Sequence, residues 1–339
     1  MPWGTAGYVR PQTTTPGPRV RDGGPDRQAA RPPGQGGRMT GCSSKILARK
    51  LTDGCHTPAV HSRREHHRLL IDAVLPEMPG QSIVSHQSAA VVYGTALWRT
   101  PLERVCLTRN RRGGGRVRPF TKVHGSPVDS AAEVDGLLVT TPARTVVDLA
   151  LSLPFEAAVV AGDALAGMFG LTPESLAEEV DRARCRHGIA QARRVTELLD
   201  GRSQSLGESL SRLMIHRLGL PAPRTQGNVH TPDGRFVAQV DFYYENAGVL
   251  CEFDGTAKYG RLLRPGMDPA ELAHREQVRE TYLRALGFDV VRWTWKDLLA
   301  NTAGARLSAA LARGHRRRPE GRIIPAAAPP PRRIPVRPL

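Results

Sequence analysis

Four acidic residues in the last third of the chain have types and spacing suited to phosphodiester chemistry. Glu252 and Asp254 stand two apart in Val249–Asp254 (VLCEFD), so in an extended strand both project from one face of the pleat. Asp241 lies near the end of the preceding apolar run, and Glu208 on a helical stretch upstream of both. If the two runs pair through the turn at Glu245–Gly248, Asp241 comes nearly opposite Glu252 and their carboxylates become neighbours. Carboxylates gathered in this way repel unless a cation joins them. Hard oxygen ligands suit Mg2+ or Mn2+, held partly hydrated and open to phosphate oxygens. The competing reading is a set of solvated strand ends. Against it, CEFD places charge inside an otherwise apolar strand, where an unpaired carboxylate is costly.

The elements that must position these acids follow from the local pattern. Ser205–Leu218 is an amphipathic helix with Leu206, Leu210, Leu213 and Met214 on one side. Arg224–His230 and Arg235–Tyr244 flank the turn TPDG, a hairpin signal. Val249–Asp254 is the third strand, Asp268–Leu286 a long helix stopped by Gly287, Asp289–Thr294 a fourth strand and Trp295–Leu311 a last helix. The order is α-β-β-β-α-β. Trp293 and Trp295 read as packing residues.

That order, with Asp on the second strand and Glu-x-Asp on the third, resembles the PD-(D/E)XK nuclease superfamily. The stretch SLGESLSRLM…GLPAP…VDFYYENAGVLCEFDG…REQVRETYLRALGFDVVRWTWKDL is similar to the very-short-patch-repair-like endonuclease family, over roughly residues 205–299. The resemblance implies that Asp241 and Glu252 hold metal, with Glu208 completing the set and Asp254 assisting. It also marks a departure. The superfamily's Lys two residues after the Glu, which helps orient or deprotonate the attacking water, is Asp254 here. Lys258 in DGTAKYG, or Arg275 or Arg279 on the following helix, is a substitute cation; a solvated loop lysine is the alternative for Lys258.

Upstream, Ser85–Tyr93 reads as a short helix capped by Ser85, Arg104–Thr108 and Gly136–Thr140 as strands, and residues 141–200 as four helices. Thr141 is placed as N-cap and Pro142 as the first helical residue. SHQSAAVVYG and, some 50 residues later, TPARTVVDLA resemble the AbiEi-like antitoxin family of abortive-infection (type IV) toxin–antitoxin systems, over about residues 45–200. Such a resemblance implies a DNA-binding regulator with a possible cognate toxin. Only ILARKLTDGCHTPAVHS matches the end of a winged helix, so the remnant is degenerate. Within the motifs, Ser85-His86 and an Arg144–Asp148 i,i+4 pair also serve as plain structural devices.

The charge balance points to an acidic partner. The chain has 339 residues and a net charge of +16. Residues 1–38 and 313–339 together carry +11 of it, rich in Pro and Gly and poor in large apolar groups. The expectation is of disordered arms. Between the two strands, RNRRGGGRVR gathers Arg109, Arg111, Arg112, Arg116 and Arg118, a flexible basic hairpin fit for DNA phosphates; Arg275 and Arg279 are further DNA contacts. Only five of the 48 cations are Lys, and such an Arg bias also arises from a GC-rich genome. GGG at 113–115 lacks the Lys-Ser/Thr of a phosphate-binding loop, and Cys55, His56, His61, His66 and His67 fit no zinc spacing. Five cysteines without a C-x-x-C pair, no apolar run of membrane-spanning length and no signal-like start imply reduced thiols in the cytoplasm.

The expected architecture is α/β: an arm (1–42), a mostly helical antitoxin-like domain (43–200), a nuclease-like domain (201–312) and a disordered basic tail (313–339). Two functions are open. One is a Mg2+-dependent endonuclease. The other is an antitoxin-like transcriptional regulator with a catalytically silent nuclease fold. The sequence leaves the oligomeric state undetermined.

Overall fold

The structure, a computed structural model, describes residues 62–78, 80–255, 269–314 and 319–339. The N-terminal arm, Cys55, His56, His61 and Lys258 lie outside the described residues.

Helix α1 (Arg63–Val74) starts where the Ser62 side chain accepts the Glu65 amide, and it buries Leu70 and Ile71. His67 on its inner face is spanned by Leu102 O and Ser88 Oγ at 2.7 and 2.8 Å, a satisfied core histidine. After β1 (Ile83–Val84), α2 (His86–Tyr93) ends at Gly94 in the left-handed conformation. There follow β2 (Val105–Arg109), β3 (Arg116–Val117), β4 (Thr121–Gly125), β5 (Ser130–Val134) and β6 (Leu137–Thr140). Four helices come next: α3 (Pro142–Ser152), α4 (Phe155–Phe169), α5 (Pro173–Arg182) and α6 (Ile189–Leu198). Thr141 caps α3 with Pro142 in the first turn, as the sequence predicts, and Thr172 caps α5 ahead of Pro173 in the same way.

This half contains more sheet than the mostly helical reading anticipates. Strands β1, β3, β4 and β5 carry little alternation, and Val84, Leu107, Val123, Ala132 and Val139 meet in the core only through long-range pairing.

The second half matches the expected order. Helix α7 (Leu206–Arg217) leads into β7 (Arg224–His230), β8 (Phe236–Tyr244), β9 (Val249–Asp254), α8 (Pro269–Ala285) and β10 (Asp289–Thr294). Strand β8 is antiparallel to β7 and β9, and β9 is parallel to β10. The expected last helix divides into α9 (Trp295–Leu299) and α10 (Ala303–Arg313). Trp293 is buried and donates to Ser211 Oγ, so the tryptophan is a packing residue with its one N–H satisfied.

The C-terminal tail is not a disordered arm. Residues Arg322–Pro325 form β11, antiparallel to β7, and Val336–Pro338 form β12, antiparallel to β5. The tail thus adds an edge strand to each sheet, giving the orders β12-β5-β6-β1-β2-β4-β3 and β10-β9-β8-β7-β11. Its composition argued for disorder because it has little apolar surface of its own. The sheet edges supply the backbone partners that the tail cannot supply itself.

All the described residues fall in one compact unit. Leu210 and Leu213 of α7 share a core cluster with α4 and the first sheet. Trp98 stacks on Trp295 at 6.0 Å between centroids. Beside them runs a polar seam: Arg212 pairs with Asp163 at 2.8 Å, Asp163 accepts the Asp200 amide, and Asp200 accepts Thr225 Oγ1.

Candidate functional site

The sheet brings the acids to one region but gives them different partners. The β8–β9 ladder is in register from Tyr244↔Val249 to Phe242↔Cys251. One step further Asp241 would face Glu252, as the hairpin reading predicts. There Asp241 Oδ2 accepts the backbone N–H of Phe253 at 2.7 Å. A side-chain oxygen takes an amide from the neighbouring strand at the point where the pairing stops.

Glu252 is held by arginine. Its two oxygens accept from Arg279 Nη1 and Nη2 at 2.8 and 2.9 Å, a forked pair, and Arg292 Nε stands 2.9 Å from Oε2. Arg292 is its register partner on β10. Glu276 adds a further carboxylate, 2.6 Å from Arg279 and 3.2 Å from Arg292. Burial pulls the Arg279 pKa down, but hydrogen bonds and charge from Glu252 and Glu276 outweigh it and hold Arg279 above its ordinary value. Arg279, expected as a DNA contact or a substitute for the missing Lys, is thus engaged in neutralising the central acid. Arg275 instead pairs with Glu271 on the exposed side of α8.

Glu208 sits in the first turn of α7, buried, with its own amide capped by Ser205 Oγ. Its Oε2 accepts the Gln204 amide and Gln226 Nε2, both at 2.8 Å. Gly207 beside it is required by close approach, since a Cβ there would fall 1.9 Å from the Phe253 ring. Asp254 lies half-buried at the end of β9. Among the described residues no three His, Cys, Asp or Glu side chains are placed to hold a metal ion. As arranged, the Glu252 carboxylate is engaged by two guanidiniums, which are shared in turn with Glu276.

The hairpin arginines are arranged differently. Arg111, Arg112, Arg116 and Arg118 are exposed around β3, the open edge of the seven-stranded sheet, and Arg109 ends β2 beside them. Arg111 donates to Gly114 O, and Arg104 donates to Arg118 O. Gly125 permits the loop to close, since its Cβ would meet Gly113 O.

A second polar centre, assigned by sequence to structural capping and an i,i+4 pair, is more extensive than that. Asp148 is fully buried, and its Oδ1 receives Arg144 Nε at 3.1 Å and Arg186 Nη1 at 2.6 Å. Burial raises the Asp148 pKa, but His86, Arg144 and Arg186 together bring it down to about 2. Its Oδ2 has no hydrogen-bond partner and lies 3.9 Å from His86 Nδ1. His86 opens α2 with φ +52° and stacks on His124 at 3.8 Å. Burial is the main cause holding His86 at about 3 and His124 at about 4. Ser85 provides no side-chain cap for α2; its hydroxyl accepts from Thr108 and lies 3.0 Å from His86 Nδ1. The motifs signalled His86 and Asp148. His124 and Arg186 carried no comparable signal.

Residues 82–201 match the family model of the AbiEi antitoxin C-terminal domain, which spans both motifs of this polar centre. The match ends before Glu208. An uncharacterized protein of Mycobacterium tuberculosis is 28% identical over 238 residues, covering 70% of this chain and 82% of the relative; it is Rv2248 in strain H37Rv and MT2308 in strain CDC 1551. No solved structure matches the chain. Among the described residues no helix is long and apolar enough to cross a membrane.

Proposed function

We propose that this chain is an antitoxin-like, nucleic-acid-binding regulator whose nuclease-like half does not hydrolyse its ligand. The observation that carries the reading is the Glu252 carboxylate, forked onto Arg279 and flanked by Arg292. An acid neutralised by two guanidiniums is a poor cation ligand, and Asp254 stands where the superfamily's Lys would be. The AbiEi antitoxin match in residues 82–201 supports the same reading and makes a protein toxin the partner to seek. Nucleic acid meets the arginine edge around β3, where backbone phosphates need cations not already neutralised.

The test is a nicking assay on supercoiled DNA with Mg2+ or Mn2+, run beside DNA binding with and without EDTA. Binding that needs no metal and survives Glu252→Ala, with no nicking, is the expected result. Nicking that disappears in Asp241→Ala or Glu252→Ala overturns it. That outcome belongs to a second reading, a Mg2+-dependent endonuclease, favoured by Asp241 reaching the amide of Phe253, next to Glu252, one step past the last β8–β9 pair.

A further inference from the structure

The C-terminal tail reaches the acidic corner through one strained residue. Gln226, within β7, has φ +57°, a left-handed conformation that costs a non-glycine residue energy and persists only where its surroundings impose it. Three contacts hold it. The Ala326 amide of the tail donates to Gln226 O at 2.7 Å, Gln226 Nε2 donates to Glu208 at 2.8 Å, and Gln226 Oε1 accepts Gln239 Nε2 at 2.6 Å. Ala326 is fixed from its other side by Arg202, which donates to its carbonyl at 2.6 Å.

Both halves are shaped to receive this tail. A Cβ on Gly227, next to Gln226, would lie 2.9 Å from Ile323 of β11 and 2.7 Å from Tyr243. A Cβ on Gly170, at the end of α4, would lie 2.9 Å from Pro331. Just past Pro331 the Arg332 amide donates to Met168 O, and further on the Leu339 amide donates to Asp129 O. The tail is therefore bonded along its length to two surfaces that glycines leave low enough to accept it.

We infer that residues 322–339 form a strap that regulates the acidic corner: docked, it holds Gln226 left-handed and on Glu208; released, it lets Gln226 relax and frees Glu208 from that bond. The physical reason is the alternation of an extended strand. A residue returning from left-handed to extended backbone rotates its side chain relative to its neighbours, so Gln226 cannot keep both its strand conformation and Glu208 once the restraint is gone. The inference rests on this corner being the site considered above, but not on whether it turns over.

Amide hydrogen exchange on the full chain tests it without DNA or metal. Ala326→Pro removes the tail N–H that reaches Gln226 O, and Ile323→Asp unseats β11 while leaving β7 and β8 as they are. In either variant the β7 amides and the Gln204 amide, which reports Glu208, exchange about tenfold faster than in the parent. Gln226→Gly relieves the strain and deletes the side chain. It speeds Gln204 exchange while β7 stays protected by a tail that remains docked. The inference is overturned if Gln204 exchange is unchanged when β7 loses protection, since the tail then only covers an edge. It is equally overturned if β7 is as unprotected in the parent as in the variants.

Discussion

Asp148 and Glu252 are each met by two arginines, yet the two carboxylates are placed for different ends. Asp148 lies at the centre of the first half, fully enclosed, with one partner a turn away on its own helix and another 38 residues on. Its ion pairs and the His86–His124 stack join α2, α3, β4 and the segment before α6. Glu252 lies on a strand beside α8, and Arg279 and Arg292 belong to a wider lattice that includes Glu276 and Glu280. The first centre is an internal joint whose acid must stay charged. The second is a carboxylate on a sheet surface, paired with arginines from the neighbouring strand and helix.

The largest expected effect breaks the joint. Asp148→Ala leaves two guanidiniums without their buried partner and should cost about 3–5 kcal/mol of stability in chemical denaturation. Asp148→Asn should cost less, because the amide keeps an acceptor for one of them. Equal stability of Asp148→Ala and the parent would show that the two centres do not differ in kind.

Acidification acts next. His86, His124 and His67 all have native pKa values below the ordinary imidazole value, chiefly through burial, so their stabilisation is complete above about pH 6.5 and lost as pH falls toward their native values. Asp163 works the other way. Burial raises it to about 6 despite Arg212, so between about pH 6 and 4 it takes up a proton preferentially in the folded state. Burial raises Asp72 and Glu179 as well, so three carboxyls oppose the three imidazoles and the contribution of each histidine is read by difference from its His→Gln variant. For the buried His86 the slope approaches about 1 kcal/mol per pH unit, and for the more solvent-accessible His124 it is smaller. Thermal melts across this range should show a shallower slope for His124→Gln.

At the second centre, Arg279→Met with Arg292→Met should cost about 2–3 kcal/mol, since Glu252 is buried while its partners are partly solvated. The same variant should raise Mn2+ retention by Glu252, read by paramagnetic broadening; no change would mean that the arginines are not what excludes a cation. The smallest effect on stability belongs to the arginine edge. Arg111, Arg112 and Arg116 replaced by Ala should leave the melt unchanged. The slope of log affinity for duplex DNA against log salt should shrink by about 0.9 for each lost phosphate contact.

The second half was the more legible in sequence. The TPDG turn, the apolar runs and Gly287 identified β7, β8, β9, α8 and β10 in order, since each rests on local turn chemistry and alternation. The antiparallel pairing of β8 with β9, which brings Asp241 to the Phe253 amide, followed from the short turn between them. That Arg279 would fork onto Glu252 did not follow, because α8 approaches that face only after the sheet is assembled. In the first half Thr141 and Arg144–Asp148 were readable within one helical turn, while β1 was too short, and β4 and β5, though as long as β2, too poor in large apolar residues, to separate from loop.

Local pattern thus determined the helix starts, the hairpin and which residues carry charge. Tertiary structure decided what that charge is used for: whether a carboxylate meets a cation or a guanidinium, and whether a proline-rich tail remains free or closes two sheets. The reason is the range of the forces involved. Caps, turns and side-chain alternation act across a few neighbouring residues. The partners of Glu252, Asp148 and the tail lie 27, 38 and roughly 100–200 residues away, and only folding brings them within hydrogen-bonding distance.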